Sequence, residues 1–204
     1  LPAGHTLLVF TLEIMGDSSW YNGAAYLDTL SHDAVKAFIQ STHEAYRKAV
    51  GKHFGGTVPG MFTDEPNHGD TIARGPHNFQ YRKTTGDFVT AWTDKLPAVF
   101  KQRYGYDLIP HLVELFYDVD GRAVTPARHD YHDCTTFLFV DAFARQIGEW
   151  CEKNKLAHTG HVLLEDNTFS QAGLVGSAMR FYEYMQAPGM DLLTEHWRVY
   201  DTAK

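Results

Sequence analysis

Three acidic groups follow short apolar runs in this sequence: Asp64-Glu65-Pro66 after TVPGMFT (57–63), Glu165-Asp166 after AHTGHVLL (157–164), and Glu195-His196-Trp197 after MDLLT (190–194). One acid at the end of one strand carries little information. Three in step with successive strands carry more, because carboxylates held near one another repel and their pKa values are driven apart. One then stays protonated as a proton donor while another stays ionised, the division of labour that glycoside hydrolysis requires. Asp64, His161, Glu165, His196 and Trp197 are the candidate substrate contacts around a Glu65 and Glu195 pair. His161 lies within the third apolar run, where it can hydrogen-bond an acid or a substrate hydroxyl. Trp197 is the first choice of sugar platform, ahead of Trp20, Tyr21 and Trp92, whose rings more often pack in a core or on a surface. His68 and His77 fall in a loop and are expected to face solvent.

The elements that must position these groups alternate. HTLLVFTLEI (5–14) reads as a first buried strand, being rich in β-branched and large apolar residues and too short for a helix. Ser31 caps a helix whose positions Val35, Phe38, Ile39, Thr42 and Tyr46 follow the helical period and which ends near Gly51. The second strand spans 57–63, with Pro59 at a strand start or an irregular position. A Gly-, Asn- and His-rich stretch, 66–85, is long enough to be a functional covering loop. A helix over 88–104 with a break near Pro97 and a short helix over 110–117 precede the clearest helix, 129–156, marked by Thr136, Val140, Phe143, Ile147 and Trp150. The third strand (157–164), a helix over 175–186 and a fourth strand (190–194) complete the chain. Such alternation predicts an α/β fold with parallel strands. Their carboxyl ends then share one face, where a barrel builds its active site. Four strand signals predict one domain over 1–204 that is a portion of a (β/α)8 TIM-barrel, not a closed barrel.

The composition excludes several classes. With 44% hydrophobic and 14% aromatic residues the chain can bury a core, and a net charge of -7 argues against a nucleic-acid surface. No apolar run is long enough to span a membrane, and Leu1 to Phe10 lacks the basic start of a signal peptide. The sequence begins without Met, as a mature or excised fragment does. Cys134 and Cys151, on one predicted helix about 25 Å apart, should remain unpaired, buried thiols. The twelve histidines include no HExxH or HxH pair, which argues against a transition-metal hydrolase.

Four motifs, in order and over most of the chain, carry a family resemblance. They are Tyr26-Leu27-Asp28 with the helix after Ser31, VPGMFTDEP (58–66), TGHxxxE from Thr159 to Glu165, and PGMDxLxEH from Pro188 to His196. Together they resemble the barrel domain of glycoside hydrolase family 106, the α-L-rhamnosidases, and related barrel glycosidases. The resemblance implies inverting hydrolysis assisted by calcium, in longer enzymes of periplasmic or secreted location. By this carry-over Glu65 is the general acid, Glu195 the base that activates water, and Glu165 a calcium-site or substrate-binding carboxylate. Two alternatives stay open. One is a retaining barrel glycosidase of the β-glycosidase type. The other is a carbohydrate-binding or structural fragment without turnover, self-associating through open strand edges.

Overall fold

The computed structural model describes Leu1 and residues 3–14, 16–69, 89–165 and 168–191. In chain order the regular elements are α1 (His32–Phe38), α2 (Glu44–Val50), β1 (Gly60–Asp64), α3 (Leu96–Tyr104), α4 (Leu112–Phe116), α5 (Pro126–Phe139), α6 (Gln146–Lys153), β2 (Ala157–His161), α7 (Thr168–Leu174), α8 (Ala178–Tyr182) and β3 (Ala187–Pro188). The three strands form one parallel sheet in the order β1-β2-β3. Each crossover runs through helices, as parallel pairing demands.

Two long helical rods cover the sheet. In the first, the Ser31 hydroxyl accepts the Ala34 N–H at 3.3 Å, satisfying a donor that the helix start leaves open. A π-helical turn, Ile39–His43, joins α1 to α2. That turn adds a residue to the local repeat, which explains why the predicted apolar face fails at its end. Val35 and Ile39 are buried, but Tyr46 is 54% exposed. His43 takes the inward place instead, edge-on to Trp150 at 5.1 Å.

The second rod opens at the Thr125 cap, with Pro126 in the first turn where its missing N–H costs nothing. It passes through another π-helical turn, Val140–Arg145, into α6. Tyr131, Cys134, Phe139, Phe143, Ile147 and Cys151 form its buried stripe, and both cysteines are free. Trp150 Nε1 donates to Glu44 Oε1 at 2.8 Å, and Gln146 Nε2 to the His32 carbonyl at 3.1 Å, binding the rods together. The core continues into Leu96, Phe100 and Leu108 on one side, and Val162, Val175 and Phe181 on the other.

The β1–β2 register pairs Gly60 with Ala157 through Asp64 with His161. Gly160 makes this approach possible. Its φ is +125°, and a Cβ there would lie 2.0 Å from the Thr63 carbonyl oxygen. Alternate residues of the pair face opposite ways: Met61 and His158 turn toward the helices and their core, while Phe62, 64% exposed, and Asp64 turn outward.

Several predicted boundaries are corrected. Residues 5–14 form no strand. Leu7, Val9, Leu12 and Ile14 are exposed and only Phe10 finds an aromatic partner, stacked on Phe116. A strand sequence without an edge to pair with gains nothing from its β preference. The predicted fourth strand is displaced to Ala187–Pro188, and residues 192–194 lie outside the described part. Pro97 starts α3 and does not break a longer helix. The helix expected over 175–186 is two short ones, parted at Gly176 with φ +73°. The result is α/β with an open three-stranded parallel sheet. Among the described residues no helix is long and apolar enough to cross a membrane.

Candidate active site

The carboxyl ends of β1, β2 and β3 bring three of the predicted residues together. Glu65 leaves β1 with φ +49°, a left-handed conformation that non-glycine residues seldom adopt and that costs about 1 kcal/mol or more. Its N–H donates to the His161 carbonyl at 3.1 Å, prolonging the ladder by one residue while the side chain is re-aimed. The turn behind it is clamped from the loop before α1. Thr29 Oγ1 donates to the fully buried Asn67 carbonyl at 2.7 Å, the Tyr26 hydroxyl accepts the Asn67 N–H at 3.2 Å, and Asn67 Nδ2 donates to the Glu65 carbonyl at 3.1 Å. Burial pushes the Tyr26 phenol up to about 12, so it remains a neutral hydroxyl in this clamp.

His161 closes β2 with its side chain 9% exposed, between two carboxylates: Asp64 Oδ1 at 3.4 Å from Nε2 and Glu165 Oε1 at 3.9 Å from Nδ1. Phe62 stands edge-on to its ring at 5.8 Å. Glu165 is buried and follows Leu164, which is also left-handed with φ +51°. Gln171 Nε2 holds the Glu165 carbonyl at 2.7 Å, and Glu165 Oε1 accepts the Asp191 N–H at 2.9 Å. The loop after β3 is thereby tied to the loop after β2. Gly189 N–H, donating to the Gly160 carbonyl at 2.8 Å, makes a second tie.

Glu65, His161 and Asp191 each present one ligating atom within 4.8 Å of the others. Partial burial raises the Glu65 carboxyl above the ordinary carboxylate range. The His161 ring opposes that shift, and Asp64, Asp191 and Glu165 reinforce it. The cluster therefore supplies a carboxyl biased toward its protonated form, beside an imidazole and further carboxylates.

Asp191 is the site residue that the sequence reading missed. It stands in the PGMD motif, but nothing local distinguishes it from an ordinary loop acid, and only the β2–β3 pairing brings it to Glu65 and His161. Glu195, His196 and Trp197, the covering loop from residue 70 onward with His77, Asp166, and the Trp20 side chain lie outside the described residues. Trp92 is partly buried against the core, and Tyr21 packs on Tyr26 at 5.0 Å. His68 is not a solvent-facing loop residue. Both its ring nitrogens are shielded from water, its ring lies edge-on to Phe139 at 5.3 Å, and burial lowers its pKa to about 4.

No family model and no curated protein matches this chain. Among solved structures it is similar to the rhamnosidase from Novosphingobium sp. PP1Y, with a TM-score of 0.52 and 15% identity over 79% of this chain. The match spans 14% of that enzyme's chain. Likeness at that identity is likeness of fold.

Proposed function

We propose that this chain is part of a glycoside hydrolase that cleaves O-glycosidic bonds by carboxylate catalysis, with Glu65 as the proton donor. The observation that carries the reading is the Glu65 carboxyl itself. It sits at the carboxyl edge of a parallel sheet on a strained, clamped backbone and is biased toward protonation by burial and by neighbouring acids. Rigid placement of a group whose pKa lies nearer neutrality is what general-acid catalysis asks for. The structural neighbour is a rhamnosidase, which favours a rhamnose-containing substrate among the sugars to be tried.

The finer assignments follow from this reading. An inverting pair leaves room for a water between its carboxyls, about 6.5 to 9.5 Å. Asp191, with a carboxylate oxygen within 4.8 Å of that of Glu65, is too close to be the base of such a pair. The inverting reading therefore keeps Glu195 as the base and gives Asp191 the role of holding the proton on Glu65. Asp64, His161 and Glu165, with His196 and Trp197, are the proposed sugar contacts. The open edge of β1 is the proposed route of any self-association.

Calcium fits the cluster poorly. It takes about six to eight oxygen ligands. The group that converges here includes an imidazole, and Glu165 Oε1 accepts the Asp191 N–H. No catalytic step is routed through calcium.

The test is hydrolysis of a panel of p-nitrophenyl glycosides, including the α-L-rhamnoside, by the chain and by Glu65→Gln. Loss of a general acid should lower turnover by roughly 10²- to 10⁴-fold. The loss should be larger for an alkyl glycoside, whose leaving oxygen needs the proton more than nitrophenolate does. Equal activity in the variant overturns the assignment of Glu65, and no turnover of any glycoside overturns the reading for this chain.

A further inference from the structure

We infer that Glu65, His161 and Asp191 form a binding site for a borderline divalent transition metal of the zinc type, and that an ion held there withholds Glu65 from catalysis. The two carboxylates and one imidazole come from the ends of three adjacent strands, with ligating atoms within 4.8 Å of one another. Ligands of a tetrahedral zinc ion lie about 3.4 Å apart, given bond lengths near 2.0 to 2.1 Å. Closure therefore asks for side-chain movements of about 1 Å and no change of backbone.

The independent observation is His161. It is more than nine-tenths buried, and its Nδ1 is shielded from solvent with no hydrogen-bond partner among the described residues. The Glu165 oxygen 3.9 Å away is too far to serve as one. A buried polar group left in that state is costly unless something else satisfies it. An imidazole that ligates a metal turns its other nitrogen to a carboxylate, which fixes its tautomer. His161 has a carboxylate beside each nitrogen, Asp64 next to Nε2 and Glu165 next to Nδ1. Whichever nitrogen takes the ion, the other keeps a partner.

The donor set decides the class of ion. Imidazole with carboxylates suits zinc, manganese or cobalt and not an oxygen-seeking ion such as calcium. Three protein ligands leave a fourth position for water. Glu165 acts one step out, holding the Asp191 backbone. Sequence scanning for HExxH or HxH cannot find this group, because its members are far apart in the chain and the strand order alone unites them. Binding stands without the hydrolase reading; only the loss of activity rests on it, since Glu65 cannot bind the ion and protonate a leaving group at once.

The test uses the full chain, stripped with EDTA and dialysed, and titrated with Zn²⁺ by calorimetry and with Co²⁺ by visible absorption. One equivalent should bind, with cobalt bands more intense than those of the hydrated ion, and a tenfold excess of Ca²⁺ should not compete. Asp191→Asn should weaken binding at least tenfold, Glu165→Gln roughly tenfold, and His161→Gln should abolish the cobalt bands. His129→Gln, on an exposed surface, should change nothing. Asp191 lies in the half-buried loop after β3, so its variant keeps the test decisive if the His161 variant fails to fold. Absence of saturable binding, equal affinity in Asp191→Asn, or displacement by calcium overturns the site. Where the chain hydrolyses a glycoside, Zn²⁺ should suppress turnover and EDTA restore it. Full turnover at zinc saturation overturns the exclusion, whereas zinc binding without any hydrolysis supports the site and removes only the hydrolase reading.

Discussion

Replacing Gly160 with alanine should do more damage than any other single methyl group in the sheet. The backbone at 160 has φ +125°, a region where an L side chain is strained by about 1–3 kcal/mol. The added carbon would meet the Thr63 carbonyl oxygen at 2.0 Å and the Thr63 nitrogen and carbonyl carbon at 2.8 Å. These are backbone atoms of the neighbouring strand, so relief requires β1 and β2 to part by about 1 Å, at the edge of hydrogen-bonding range. Ladder bonds that flank the contact, such as Glu65 N–H to the His161 carbonyl and Ala157 N–H to the Pro59 carbonyl, then weaken, at about 0.5–1.5 kcal/mol each. The total is about 4 kcal/mol. With a urea m-value of about 2 kcal/mol/M, the midpoint should fall by about 2 M. The control is Gly173→Ala, in exposed α7 with open space where the methyl would go, which should hold or raise the midpoint because alanine is the better helix former. The assay is urea unfolding followed by circular dichroism for the three proteins. A Gly160→Ala midpoint within about 0.3 M of the parent would refute the claim that close strand approach fixes this residue.

Acid should unfold the protein early. His68 and His158 have their pKa lowered to about 4 by burial, while in the unfolded chain they protonate near 6.5. Between those values the unfolded state binds more protons, so stability falls as pH drops from about 6.5 to about 4. Glu65 acts with the opposite sign, because its raised pKa lets the native state bind the extra proton. A stability profile that is flat from pH 7 to pH 4, by urea midpoints in matched buffers, contradicts the two-histidine account. The thiols of Cys134 and Cys151 are fully buried and pushed up to about 11 and about 12. A thiol reagent should label neither in the native protein and both in guanidinium; fast native labelling of either counts against the packing of the second rod. Phe181→Ala removes a fully buried ring that contacts Phe139 at 5.1 Å and Phe143 at 6.1 Å, and should cost about 3–5 kcal/mol in the same unfolding assay.

The two rods were legible because their signals are local. Ser31 caps, Val35 and Ile39 follow the period, and Phe143 and Ile147 repeat at four residues. Strands β1 and β2 were legible within a few residues for the same reason. The segment 5–14 was misread because its apolar, β-branched composition says what the chain prefers when a partner strand is present and nothing about whether one is. Tyr46 and His43 were exchanged because an added residue inside a helix leaves no mark in the sequence. At the site, Glu65, His161 and Glu165 could be picked out by position after apolar runs. Asp191 could not, since its meaning comes from the β2–β3 pairing and a hydrogen bond to Glu165 across the loops.

The wide turns in the two rods fix the chain length where length might seem negotiable. Each rod carries a local surplus of one residue, at Ile39–His43 and Val140–Arg145, and α1 rests against the second of them. Loss of a single codon in either turn would restore an ordinary helix and rotate everything downstream by about 100°. His43 would turn away from Trp150 in one rod, and Ile147 and Cys151 would turn away from the core in the other. Insertions and deletions over evolutionary time should therefore accumulate in the connections between elements, while the number of residues from Ser31 to Gly51, and from Thr125 to Asn154, is held as an integer that the packing counts.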